Sequence, residues 1–171
     1  MGRTVTATVA TSNDAHALHS AVSDLVRVYQ FRDRDRICCY DVSVTQCYAL
    51  ETVVEHGPLR QGALADRLFL DKSTTSRVVA TLLKKGYLEQ TPDPADGRAV
   101  LLRATRSGRS LYTTITAELV EQQQQLLGDL APDVRAGVIT VLRRLAQAAD
   151  ARFRSGVSAD PACCGPSNRC G

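Results

Sequence analysis

The part of the sequence that decides the fold is residues 64–109, which read LADRLFLDKSTTSRVVATLLKKGYLEQTPDPADGRAVLLRATRSGR. A short helix is predicted over residues 61–69. Asp71 is a suitable N-cap for a second helix, because its carboxylate can accept hydrogen bonds from free backbone amides. Two lysines followed by Gly86 are typical of a helix end. The stretch therefore predicts two consecutive helices joined by a tight turn.

The second of these helices has two chemically different faces. Its apolar stripe, which should pack on the core, consists of Val79, Leu82 and Leu83. The face that should point to solvent carries Ser73, Arg77, Thr81 and Lys84, with Thr74 close to it. A helix that presents short polar and basic side chains in this way is suited to contact a polar, anionic partner.

A β-hairpin is predicted directly after this helix. The two short strands cover residues 87–90 and 99–103, and the segment between them contains two prolines and Asp96-Gly97, a favoured turn pair. Arg98 lies beside the turn. Residues 98–109 hold four arginines and no acidic residue, so the second strand and the start of the next helix form a basic region.

Long helices flank this region on both sides. Before it, a helix begins near Asp14 and ends in the charged run 32–36, and a second begins at Ser43 and ends near His56. After it, Thr105 caps a long helix that ends near residue 130. A last helix begins at Ala131-Pro132, since proline is tolerated in the first turn.

The order of these elements predicts a mainly α fold with a small β-hairpin, the winged helix-turn-helix. In this fold the second helix of the turn motif enters the DNA major groove, and the hairpin contacts the backbone or a minor groove. The residues we expect to contact double-stranded DNA are Ser73, Thr74, Thr75, Arg77, Lys84 and Arg98.

The stretch 64–109 resembles the MarR family of transcriptional regulators. The resemblance rests on the helix ending KGYL, on Asp96 and Arg98 in the hairpin, and on Thr105 and Gly108 at the next helix start. It covers about residues 14–154. It implies a symmetric homodimer in which the first and last helices pair, a near-palindromic DNA operator, and repression as the usual outcome.

The predicted organisation has five parts. They are a disordered N-terminus (1–12), N-terminal dimerisation helices (13–56), the winged helix-turn-helix (57–104), C-terminal dimerisation helices (105–155) and a flexible Cys-rich tail (156–171).

Composition limits the class of protein. Apolar residues make up 44% of 171 residues and charged residues 23%, values typical of a soluble globular protein. No run of about 18 apolar residues is present, and the N-terminus lacks the apolar segment of a secretory signal, so we expect a cytosolic protein without membrane partners. No catalytic triad, paired-carboxylate loop or phosphate-binding glycine motif occurs, so we do not expect an enzyme.

Six cysteines depart from what the MarR resemblance requires. They form two triads, Cys38, Cys39 and Cys47 in one and Cys163, Cys164 and Cys170 in the other. Structural disulfides are rare in a reducing cytosol, and thiolates select soft ions. Three sulfurs suit a trigonal site for As(III), with Sb(III), Hg(II) or Cd(II) as alternatives. The C-C-x5-C spacing of the tail resembles the As(III) site of some arsenical repressors from another winged-helix family, which favours As(III).

Other interpretations of the cysteines remain open. In a peroxide-sensing repressor, Cys38 or Cys39 would be oxidised and a tail cysteine would resolve it, with Arg34 and Arg36 favouring the thiolate. Alternatively, the effector is an organic molecule and the thiols are incidental, with Cys47 a small buried side chain. A metal-buffering protein would leave the winged helix unexplained.

Overall fold

The computed structural model of the protein describes residues 11–37 and 40–155. The chain divides into two compact units, Met1–Ala117 and Glu118–Gly171. Its elements are, in order, α1 (Ser12–Ile37), α2 (Val44–His56), α3 (Gln61–Leu68), α4 (Lys72–Lys84), β1 (Leu88–Asp93), β2 (Asp96–Ala104), α5 (Arg106–Gly128) and α6 (Pro132–Arg154). The predicted class, mainly α with one hairpin, is confirmed.

The predicted helix starts are built by the expected caps. At α2, the Gln46 amide donates to the Ser43 hydroxyl, and the Ser43 amide donates to the Gln46 side chain, both at 3.2 Å. This reciprocal pair satisfies two backbone donors that the first helical turn leaves free. At α6, Ala131 is the N-cap and a proline occupies the first turn.

The core of the first unit lies among α2, α3, α4 and the hairpin. Helices α2, α3 and α4 pack against one another, β1 packs on α4, and β2 packs on α2. The largest fully buried side chains are Ile37, Leu50, Leu64, Leu82, Leu102, Val79 and Thr75. Because these come from separate elements, burying them fixes α4 and the hairpin together in one body.

The hairpin is extended by a third segment. β1 and β2 are antiparallel neighbours, and Leu59 pairs with Leu102 through two backbone hydrogen bonds of 2.8 and 3.1 Å. This pairing ties the segment between α2 and α3 to the centre of β2.

The turn of the hairpin differs from the prediction. The sequence favoured Asp96-Gly97, whereas Pro94 and Ala95 form the turn and Asp96 already belongs to β2. The Asp93 carboxylate accepts a hydrogen bond from the Ala95 amide at 2.9 Å. The fixed φ of Pro94 suits the turn position that directly follows Asp93. The Asp-Pro pair therefore prevails over the Asp-Gly pair.

A joint connects α4, β1 and α5. Gly86 ends α4 with φ +73°, and its carbonyl accepts hydrogen bonds from Thr105 Oγ1 at 2.7 Å and Ser107 Oγ at 2.9 Å. Thr105 Oγ1 also accepts from the Gly108 amide at 3.0 Å, which caps α5 as predicted. The end of one helix thus fixes the start of another across 19 residues of sequence.

Apolar side chains remain exposed on the outer helices of the single chain. In α1, Leu18, Val22 and Leu25 are 46%, 43% and 42% exposed. In α6, none of residues 132–154 is buried. These helices are the ones that the MarR resemblance assigns to dimerisation.

Among the residues that the structure describes, no helix combines the length and apolar character needed to cross a membrane.

Candidate nucleic-acid interface

The first turn of α4 presents the polar face predicted for it. Ser73 and Arg77 are exposed and Thr74 is half-buried. The helix is held in this orientation by Val79 and Leu82, which are buried on its opposite side. Arg77 donates to Thr74 Oγ1 at 3.4 Å, so the basic group lies beside the hydroxyl.

Thr75 is a correction to the predicted interface. Its side chain is fully buried, and its hydroxyl donates to the backbone carbonyl of Asp71 at 2.9 Å. Thr75 precedes Val79 and Leu82 by one and two helical turns, which places it on the core face. The buried stripe is therefore Thr75, Val79 and Leu82, with Leu83 only half-buried.

Asp71 organises the start of α4. Its carboxylate accepts hydrogen bonds from Ser73 Oγ at 2.6 Å, Thr74 Oγ1 at 2.6 Å and the Thr74 amide at 2.8 Å. The hydroxyls of Ser73 and Thr74, followed by the Thr74 amide, hold the pKa of Asp71 far below its usual range. Asp71 is thus a carboxylate throughout the neutral range.

Arg98 projects from an irregular part of the hairpin. Pairing in the ladder passes from Pro92–Val100 to Asp93–Asp96, so residues 97–99 have no opposite residue in β1. The Arg98 amide donates to the Asp96 carboxylate at 3.2 Å, and the side chain is exposed. The predicted wing arginine therefore lies in an unpaired stretch beside the turn, with its side chain exposed.

The wing is clamped to the start of α3 by a residue that the sequence did not point to. Arg60 donates through Nε to Asp93 at 2.8 Å, and a second nitrogen lies 2.6 Å from the same oxygen. Arg60 also lies 3.5 Å from the Asp96 carboxylate. Asp93 is nearly buried, with 8% of its surface exposed, which makes it the anchored end of the clamp.

We expect the clamp to make stability depend on pH in acid. The Ala95 amide and then Arg60 lower the pKa of Asp93. A carboxyl whose pKa is lowered by folding stabilises the folded state. This stabilisation is complete at pH values above the ordinary pKa of about 3.9, and it is lost as pH falls through the lowered pKa. The melting temperature of Asp93→Asn should therefore lie below that of wild type from pH 7 to 5, and the gap should narrow below about pH 4.

Thermal melts across this pH range test the expectation, with Asp129→Asn as a matched exposed control. A gap for Asp93→Asn that does not change with pH would contradict it.

The far end of α4 is connected to the segment between α1 and α2. Tyr87 donates its hydroxyl to Asp41 at 2.7 Å, and Lys85 Nζ lies 3.7 Å from the other oxygen of the same carboxylate. The hydrogen bond to Asp41 raises the pKa of Tyr87. Lys84, a predicted DNA contact next to this network, is exposed.

The structure locates one of the six candidate thiols. Cys47 is buried on the core face of α2, 6% exposed, among residues that include Ala49 and Leu50. Cys38, Cys39, Cys163, Cys164 and Cys170 lie outside the described residues. Within 11–37 and 40–155, no group of three or more His, Cys, Asp or Glu side chains is placed to hold a metal ion.

Comparisons with known proteins agree on one family. The MarR family model matches residues 40–99. An HTH-type transcriptional regulator of Mycobacterium leprae is 36% identical over 97 residues, 57% of this chain and 65% of that protein. The HTH-type transcriptional regulator YxaD of Bacillus subtilis is 31% identical over 99 residues, 58% of this chain and 69% of that protein.

The fold is shared with solved structures as well. A MarR family protein from Bacillus stearothermophilus has a TM-score of 0.75 at 19% identity, covering 81% of this chain and 97% of that one. The chain spans 65% of the length of the mycobacterial relative that it matches.

Proposed function

This chain belongs to the MarR family of transcriptional regulators, and from that premise we propose that it is a DNA-binding repressor released from its operator by a thiophilic metal or metalloid. The observation that carries DNA binding is the exposed polar face at the start of α4, with Ser73, Thr74 and Arg77 on it. The wing supplies a second basic contact through Arg98. Such a pair of elements reads base edges and holds the backbone.

We propose a homodimer as the DNA-binding form. The exposed apolar side chains of α1 and α6 support it, since contiguous apolar faces on a helix are normally covered. A two-fold dimer presents two copies of α4, and these match a near-palindromic operator with half-sites about 34–36 Å apart.

The test is binding of the full-length protein to a duplex from its own promoter region. Fluorescence anisotropy in the presence of excess random-sequence DNA separates specific from electrostatic binding. We expect specific binding that weakens steeply with salt. Binding no tighter than to random DNA would overturn the proposal.

The effector part of the proposal depends on the thiols. Cys38 and Cys39 fall between two buried residues, Ile37 and Val42, which are 1% and 5% exposed. An ion bound at this pair would act on a segment anchored on both sides. Cys47 joins such a site only if the start of α2 opens, because its side chain is buried. The tail triad, Cys163, Cys164 and Cys170, supplies three further candidate thiols.

The Asp41 network supplies a route from this segment to α4. Asp41 follows Cys39 by two residues and contacts Tyr87 and Lys85, which directly follow α4. A ligand that prefers a different arrangement of the segment shifts α4 by its differential affinity for the two arrangements. Titration of the DNA complex with As(III), Sb(III), Hg(II), Cd(II) or Zn(II), under a non-thiol reductant, identifies the ion.

The same titration separates the redox alternative. Release by a stoichiometric soft ion under reductant supports metal or metalloid sensing, with As(III) expected to act first. Release only by peroxide, reversed by added thiol, would make the cysteines a redox switch.

Replacing the tail triad should uncouple sensing from DNA binding. We expect Cys163→Ser/Cys164→Ser/Cys170→Ser to bind DNA as wild type does, while the As(III) concentration for half release rises about tenfold or more, since even outer partners of a metal site contribute this much. The matched control is a separate variant, Cys38→Ser/Cys39→Ser, in which the tail cysteines are kept. A full response from the tail variant would move the site to the first triad.

A further inference from the structure

Two hydroxyl groups at the start of α4 share one carboxylate. Ser73 Oγ and Thr74 Oγ1 lie 2.6 Å from Asp71 Oδ1 and Oδ2, respectively. A hydroxyl carries a single hydrogen and two acceptor lone pairs. Each hydrogen is therefore used inside this cluster, and each oxygen has only lone pairs left to offer outward.

The direction of these hydrogen bonds is fixed by charge. An ionised carboxylate only accepts, so it cannot return a hydrogen to either hydroxyl. The same two contacts keep the pKa of Asp71 far below the neutral range, so the carboxylate does not become a donor there. Charge-assisted hydrogen bonds of this length are also stronger than neutral ones.

The two hydroxyl oxygens are not equally available. Thr74 is half-buried and already receives a hydrogen bond from Arg77 at 3.4 Å. Ser73 is exposed. The lone pairs of Ser73 are thus the more open acceptor on the face that meets the groove.

Base edges in the major groove differ in what they offer to an acceptor. Adenine N6 and cytosine N4 present donors, whereas guanine O6 and N7 and thymine O4 present acceptors. An oxygen restricted to accepting pairs with the former and is repelled by the latter. A free serine hydroxyl would instead rotate to serve either kind of base.

We propose that Asp71 is a specificity-determining residue, which restricts Ser73 to accepting hydrogen bonds and so makes the start of α4 prefer an adenine or cytosine amino group over guanine or thymine. The proposal rests on the proposed function, since it requires α4 to enter the major groove. The Asp71 carboxylate should also lower the overall affinity for DNA, because it repels the phosphates.

Asp71→Gly tests the proposal because glycine is also tolerated at an N-cap. Without a carboxylate at position 71, the Ser73 hydroxyl has no acceptor there, and its hydrogen is free to point outward. Two quantities should then move in opposite directions. Affinity for random-sequence DNA rises, since a negative charge is removed, while discrimination by Ser73 falls. Loss of a merely structural cap would lower both affinities together.

The experiment selects binding sites from duplexes with a randomised central segment, using full-length wild type, Asp71→Gly and Ser73→Ala. We expect wild type to show a position where adenine or cytosine is preferred about tenfold over guanine and thymine. This preference should fall at least to about threefold in Asp71→Gly and vanish in Ser73→Ala, while other positions keep theirs.

The outcomes are distinguishable from one another. A position read by Ser73 that selects guanine or thymine, or an Asp71→Gly profile identical to wild type, overturns the role of Asp71 and leaves the repressor proposal intact. Selection of no common sequence by wild type overturns the proposed function and this inference with it.

Discussion

Gly108→Ala is expected to lower the free energy of unfolding by about 3 kcal/mol, the upper part of the range for forcing extra atoms into a packed site. A Cβ at this position would lie 2.1 Å from the Tyr87 carbonyl oxygen and 3.2 Å from Leu50 Cδ1. The first neighbour is backbone and cannot rotate away. The Tyr87 carbonyl also accepts the Thr105 amide at 3.1 Å, so moving it disturbs the joint between α4, β1 and α5.

Thermal and urea unfolding of the purified protein measure this effect. Gly62→Ala in α3 is the matched control, because a Cβ there meets nothing within 4 Å. Within a helix this control substitution should be neutral or stabilising by roughly 0.5–1 kcal/mol. Equal free energies of unfolding for the two variants would mean that the joint between α4, β1 and α5 accommodates the extra methyl group without loss of stability.

Arg77→Ala should produce the largest loss of specific DNA binding. An arginine that reads a base edge contributes about 1–3 kcal/mol of discrimination, which corresponds to a roughly 5- to 150-fold loss of affinity for the operator. Affinity for random-sequence DNA should fall much less. Anisotropy titrations with both duplexes at one salt concentration give the ratio directly.

Two variants at other contacts provide the comparison for Arg77. Lys84 lies seven residues further along α4, about 10 Å away along the helix axis, and Arg98 lies in the unpaired stretch of the hairpin. We expect Lys84→Ala and Arg98→Ala to weaken binding to operator and random DNA by similar factors, because phosphate contacts carry no sequence information. If Arg77→Ala behaves as these two do, Arg77 is a backbone contact.

Most of the fold was predictable because its signals are local. The capping box of Ser43 and Gln46, the N-cap Asp71 and the Thr105 cap each act within three residues of sequence. The turn was misplaced because Asp93-Pro94 and Asp96-Gly97 both favour turns. The choice between them depends on where Asp93 is anchored, which is not a local property.

The site was predictable to a smaller extent. Helical periodicity located the exposed Ser73 and Arg77, yet a short polar residue such as Thr75 is tolerated in the core when its hydroxyl bonds to its own helix. Arg60 escaped prediction because its partner Asp93 is 33 residues away. No pattern in the residues around Arg60 distinguishes it from an ordinary surface arginine.

The exposed apolar face of α6 has a consequence for how much protein a cell must make. A helix that buries none of its residues 132–154 in its own chain is marginal in water unless another surface covers it. When that cover is a second copy, folding of the helix and pairing of the chains become one event governed by mass action. The DNA-competent form then grows with the square of the chain concentration at low expression. Under the proposed function, occupancy of the operator therefore rises and falls more steeply with chain concentration than it would for a repressor that binds as a monomer.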